Sequence, residues 1–138
     1  MNIDWEGLIV GFESRSHQIT HFFDRETGDV EQVLVRDAAR HESLSGDPRY
    51  LPLPRDAGER TRGDLEEFLS HCEDADCRRD LEKVLQTSDF ASRYREVLLR
   101  YPREEARFFQ FKEHVALERA QAWLAAQGIA FGKPQREM

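Results

Sequence analysis

The chain has 138 residues, 39% hydrophobic and 34% charged, with a formal net charge of -7. That length suits one domain with a core of its own, and the aromatic, Leu and Val content excludes wholesale disorder. The acidic balance argues against a general nucleic-acid binder. The longest apolar stretch near the N-terminus, Leu8-Ile9-Val10-Gly11-Phe12, is far too short to span a bilayer.

Met1–Glu6 holds no basic region followed by an apolar run, so no secretory signal is expected and the compartment is expected to be the cytoplasm. Asp4 is placed to cap a helix over about residues 4–13, with Trp5, Leu8, Ile9 and Phe12 at helical spacing. β-Branched and aromatic residues then flank a turn, Arg25-Glu26-Thr27-Gly28, and predict a β-hairpin over residues 18–35. In its second strand Val30 and Gln32 share one face, and Glu31, Val33 and Val35 the other. Register is therefore only partly specified by the pattern. Residues 36–49 are polar and read as a loop. Tyr50-Leu51-Pro52-Leu53-Pro54 reads as an extended strap or edge strand, because proline disfavours helix before it and removes ladder donors. Its Tyr50, Leu51 and Leu53 are expected to pack on the core, a reading preferred to a proline-rich ligand for a binding groove.

Four helices follow. Thr61 or Asp64 opens the first, carrying Leu65, Phe68 and Leu69. Asp74 or Asp76 caps the second, carrying Leu81, Val84 and Leu85. Ser88 and Phe90 open the third, with Tyr94, Val97 and Leu98 on one face. Pro102 sits in the first turn of the fourth, where a missing N–H costs nothing, and Gly128 suits its end.

Candidate chemistry is sparse. Cys72 and Cys77 are expected to be two reduced thiols, because a disulfide would close only a short loop and the spacing lacks the paired form of a structural zinc site. His17, His21 and Asp24 do not converge on one face of a strand, so they are read as solvated or core-edge groups. Asp24, Glu26 and Asp29 suit a turn better than a calcium loop, and Glu73, Asp74 and Asp76 suit helix capping. Scattered glycines exclude a phosphate-binding loop, and no serine sits in a catalytic context.

The sharpest candidate is a basic-aromatic block. Residues 90–138 hold nine basic and six acidic side chains, against the trend of the rest. Arg93, Arg100 and Arg107 recur at seven-residue intervals, with Arg103 between the latter two. Such a line could face phosphates or an acidic partner. The preferred reading is plainer. Tyr94, Tyr101, Phe108 and Phe111 are core, the arginines are their solvated backs, and Glu96, Glu104 and Glu113 neutralise several of them along the helix.

Several landmarks recur in order: Phe22-Phe23-Asp24 before Gly28, the Tyr50–Pro54 strap, Asp64-Leu65-Glu66-Glu67-Phe68-Leu69, Arg93-Tyr94-Arg95-Glu96-Val97-Leu98 before Tyr101-Pro102, Phe111-Lys112, and Trp123-Leu124. In this the chain resembles Uncharacterised Protein Family 0158, a bacterial family, across nearly its full length. The resemblance implies fold and element order, and no activity. This chain departs from the pattern at Thr87–Ala91, which lacks the family's glycine, and at Phe108, where the family has tryptophan.

The expected fold is α+β: an N-terminal helix and a β-hairpin with an extended strap, then a mainly helical C-terminal half of about four helices. One domain over residues 1–131 and a mobile tail at 132–138 are expected. The expected role is a non-catalytic protein-interaction or regulatory module, soluble and cytoplasmic. A nucleic-acid-associated protein using the arginine face at 93–112 comes second, and an enzyme third. No catalytic, cofactor-binding or metal-binding residue is assigned and no cofactor is expected. The candidate anionic-partner face is Arg93, Arg100, Arg103 and Arg107. A protein partner or a second copy of the chain is preferred to nucleic acid, and no membrane is expected.

Overall fold

The computed structural model describes residues 1–14, 16–54 and 59–132. Beyond Gly132, the expected tail lies outside the described residues. The fold is α+β, with a three-stranded antiparallel sheet and six helices among the described residues. The chain divides into two compact units, residues 1–56 with 116–138, and residues 57–115.

The first unit opens with α1, Trp5–Glu13, whose N-cap Asp4 accepts a hydrogen bond from the Gly7 N–H at 3.0 Å. The hairpin follows as β1, Ile19–Asp24, and β2, Val30–Leu34. At its turn Gly28 has φ +82°, and an added Cβ would lie 2.2 Å from the Asn2 carbonyl oxygen, so glycine is required on both counts. The register sets Thr20 opposite Val33 and Phe22 opposite Glu31. Bonds beyond the strand ends fix which groups point where. Val35 N–H donates to Gln18 O and Asp24 N–H to Asp29 O, both at 2.8 Å. Even-numbered residues of β1 therefore bond odd-numbered residues of β2, and Val30, Gln32 and Leu34 turn their amides outward.

The strap is β3, Tyr50–Pro52, which pairs antiparallel with the other side of β1, giving the order β2-β1-β3. Leu53 N–H continues the ladder to His21 O at 2.8 Å. The central strand is buried on both faces. Phe23 and Leu53 join Leu8, Ile9 and Phe12 of α1 on one side, and Phe22 and Val33 meet Leu44 on the other. Leu44 belongs to α2, Ala38–Ser45, which corrects the loop expected over 36–49. The reason is composition. Leu44 is the helix's one apolar residue larger than alanine, so no stripe announces it.

The second unit holds α3, Glu59–Leu69; α4, Ala75–Leu85; α5, Phe90–Leu99; and the first part of α6, Pro102–Ala126. Helix α3 starts ahead of both expected caps, so Thr61 and Asp64 lie within it and are buried. Asp74 does cap α4, accepting from the N–H of Asp76 at 2.9 Å and of Cys77 at 3.1 Å. The core closes on Phe108, fully buried, with edge-on ring contacts to Phe68 at 5.2 Å and Tyr94 at 5.8 Å. Such pairs add roughly 0.5–1.5 kcal/mol beyond the area they bury.

Further along, α6 supplies Ala116, Ala120 and Leu124 to the core of the first unit. Its end is a left-handed cap, with Gly128 at φ +73° and Ile129 N–H donating to Leu124 O at 3.0 Å. That bond and the Ile129–Leu124 apolar contact match the six-to-one cap that favours glycine. No helix among the described residues is long and apolar enough to cross a membrane.

Candidate functional site

The basic block does not run along one helix. Helix α5 stops at Leu99, Arg100 is its C-cap, and α6 begins at Pro102, so Arg93 and Arg107 belong to different elements. The sharp corner between them forms one wall of a cleft of about 560 Å³, lined by Arg100, Tyr101, Pro102, Arg103, Glu104 and Arg107 with Glu73 and Asp74. Three of the four candidate arginines therefore meet at one place. Arg93 is not among the lining residues, and its guanidinium lies 3.7 Å from Asp89.

Each arginine of the cleft is held differently. Arg107 is pinned: Nη1 lies 3.1 Å from Glu73 and 3.2 Å from Glu104, and Nη2 donates to the His71 carbonyl at 2.7 Å. Arg100, itself exposed, reaches Asp80 at 3.6 Å, a loose pair. Arg103 is exposed and has no ion pair or hydrogen bond among the described residues. Its guanidinium is the one in the cleft that an incoming anion meets with no carboxylate already attached.

The walls are fixed from beneath. Tyr101 donates its hydroxyl to Asp80 at 2.7 Å, and that carboxylate pushes the phenol up to about 12 while the same bond lowers Asp80. Glu104 is buried, with Oε1 on Arg107 and Oε2 meeting no hydrogen-bond donor among the described residues. Beside it lies the Cys72 thiol, which donates to Asp74 O at 3.5 Å. Burial, and then a hydrogen-bonding contact with Glu104, push this thiol up to about 12. Cys72 and Cys77 are both free and buried.

The aromatics sort as the plainer reading expected. Tyr94 and Phe108 are core, and Tyr101 and Phe111 pack partly buried against it. Phe109 is the exception at 46% exposed. Glu104 pairs with an arginine as anticipated. The other carboxylates are Glu73, Asp80 and Asp89, of which Glu73 and Asp80 come from other elements and cannot be found by spacing along a helix.

The remaining candidates disperse. Asp24 is buried in a bidentate pair with Arg49, at 2.8 Å to each oxygen, and also accepts from the turn amides of Glu26 and Thr27. His21 is buried, which lowers its pKa, and His17 is exposed. Among the described residues no group of three or more His, Cys, Asp or Glu side chains could hold a metal ion.

The cleft lining sets three guanidinium groups against three carboxylates, so it carries no net charge. Arg107 lies between Glu73 and Glu104, Arg100 reaches Asp80 and Asp74 caps α4, whereas Arg103 has no carboxylate on it among the described residues. Such a surface suits a discrete anionic group better than a continuous polyanion.

Comparison with curated proteins finds no match, and comparison with solved structures finds none. A family model does match, over residues 1–136, which is nearly the whole chain. The order of hairpin, strap and helices that suggested the resemblance is the order seen in the fold. The chain belongs to the uncharacterised protein family UPF0158.

Proposed function

We propose that this protein is a non-catalytic interaction module of the bacterial cytoplasm, which takes an acidic segment of a partner protein in the cleft at the α5–α6 corner. The observation that carries the reading is Arg103, exposed in a concave site between two other arginines and without an ion pair among the described residues. Tyr101 and Pro102 add an apolar wall, and the pinned Arg107 and Tyr101 give the site a preset shape that lowers the ordering cost of binding. Two reduced, buried thiols accord with a reducing compartment.

The test is recovery of a stoichiometric partner by the tagged chain, compared with Arg103→Glu. The reversal of charge should lower recovery by roughly tenfold, as expected for about 1.4 kcal/mol lost at one charged contact. Equal recovery by a folded Arg103→Glu chain overturns the reading.

A second reading, association with nucleic acid, draws on Phe109, whose exposed ring on α6 could stack on a base. It predicts a shift with mixed RNA and DNA at low salt that fades steeply as salt rises. It also predicts losses in Arg93→Ala, Arg100→Ala and Phe109→Ala alike, whereas an acidic peptide segment requires only the cleft.

A further inference from the structure

We propose that β2 is the docking edge for a second copy of this chain, the two β2 strands pairing antiparallel about a two-fold axis at Gln32. The sheet ends on two strands of different character. Edge β3 is three residues long and contains Pro52, with Pro54 just beyond, so it is short of donors and blunted against further pairing. Edge β2, Val30–Leu34, has no proline, lysine or glycine. Its odd-numbered residues are consumed by β1, and the outward amides of Gln32 meet no partner among the described residues. Leu34 and Val35 at its end are 39% and 40% exposed.

The sequence of β2 selects the mate and the register. With Gln32 opposite Gln32, Glu31 falls opposite Val33 and Val30 opposite Leu34, so no like charges are opposed. A register centred on Glu31 sets two carboxylates face to face, and one centred on Val30 sets Asp29 against Glu31. Glu31 is further neutralised by Arg40 of its own copy at 2.8 Å. The outward N–H and C=O of Gln32 and Val30 match the same groups on the mate, and the exposed Leu34 covers Val30 across the seam. A strand that is self-complementary under a two-fold rotation makes an isologous contact, the commonest form of closed pairing.

The experiment is sedimentation of the full chain across a concentration series. A reversible monomer–dimer equilibrium is expected, the dimer having twice the 16.2 kDa of the chain. Gln32→Pro removes an outward N–H and leaves the β1 ladder intact, so dimerisation should weaken by about tenfold or more while the far-UV spectrum is kept. Gln32→Cys supplies an arm that does not depend on that substitution. Across a hydrogen-bonded antiparallel pair the two Cα atoms lie about 5.5 Å apart, within disulfide reach. With glutathione disulfide as oxidant, the two thiols should join as one intermolecular disulfide while two glutathione thiols are released. A chain that stays monomeric at every concentration overturns the proposal. So does a dimer that persists in Gln32→Pro and forms no cross-link through Gln32→Cys.

Discussion

Asp24 ties the hairpin turn to the residue just before β3. It takes two hydrogen bonds from Arg49 and two from the hairpin turn while being almost wholly buried. The Arg49 guanidinium holds its carboxyl well below the usual range. A carboxyl depressed in the folded state stabilises fully above its unfolded value of about 4, and that contribution is lost as pH falls below it. Acid unfolding of the wild type should therefore be steeper below about pH 4 than that of Asp24→Asn, followed by circular dichroism. Asp24→Ala should cost about 3 kcal/mol in urea unfolding, because it strands a partly buried guanidinium and two turn amides. Cys72 behaves in the opposite sense. Its thiol is raised to about 12 by burial and by Glu104, so the folded chain holds that proton and the unfolded chain gives it up near pH 9. Stability should then fall as pH rises through that window, and iodoacetamide at neutral pH should label neither cysteine until the chain unfolds.

At the scale of elements, α4 depends on a single side chain for its start. Asp74→Ala frees the amides of Asp76 and Cys77 and should cost about 1 kcal/mol, read as a lower urea midpoint with an unchanged slope. The sequence narrowed the cap to Asp74 or Asp76, and α1, the hairpin turn at Gly28 and the opening of α6 at Pro102 were legible in it, because each rests on a local rule. What eluded local rules was decided by tertiary contact. Helix α2 meets the sheet through Leu44 against Phe22 and Val33, through His41 on the Phe22 ring and Thr20, and through Arg40 on Glu31, and a stripe of one large apolar residue has no period. Thr61 and Asp64 look like caps and are buried within a helix that begins earlier. At the cleft, seven-residue spacing suggested a line of arginines on one helix, whereas the corner at Tyr101-Pro102 folds three of them together and leaves Arg93 aside. Glu104, which holds Arg107 from within α6, was legible by spacing, whereas Asp80 on α4 and Glu73 just before it hold Arg100 and Arg107 from outside any window along α5 or α6.

For the whole molecule, the telling element is α6, whose 25 residues contribute Phe108 to one hydrophobic cluster and Ala116, Ala120 and Leu124 to another. A helix shared in this way ties the melting of one cluster to the other, so calorimetry of the full chain should show one transition. Two resolved transitions would mean that the units unfold independently. The same arrangement has a consequence for synthesis. Residues 57–115 are contiguous, whereas the unit containing the sheet is assembled from residues 1–56 and 116–138. As the nascent chain leaves the ribosome, Leu8, Phe12 and Phe23 emerge first yet wait for Leu124 before their core can close. The usual order, in which the N-terminal part folds first, is reversed. A chain interrupted early in α6 would leave the cluster of α1 and the sheet without Ala116, Ala120 and Leu124, its apolar side chains part-covered and a natural target for chaperones.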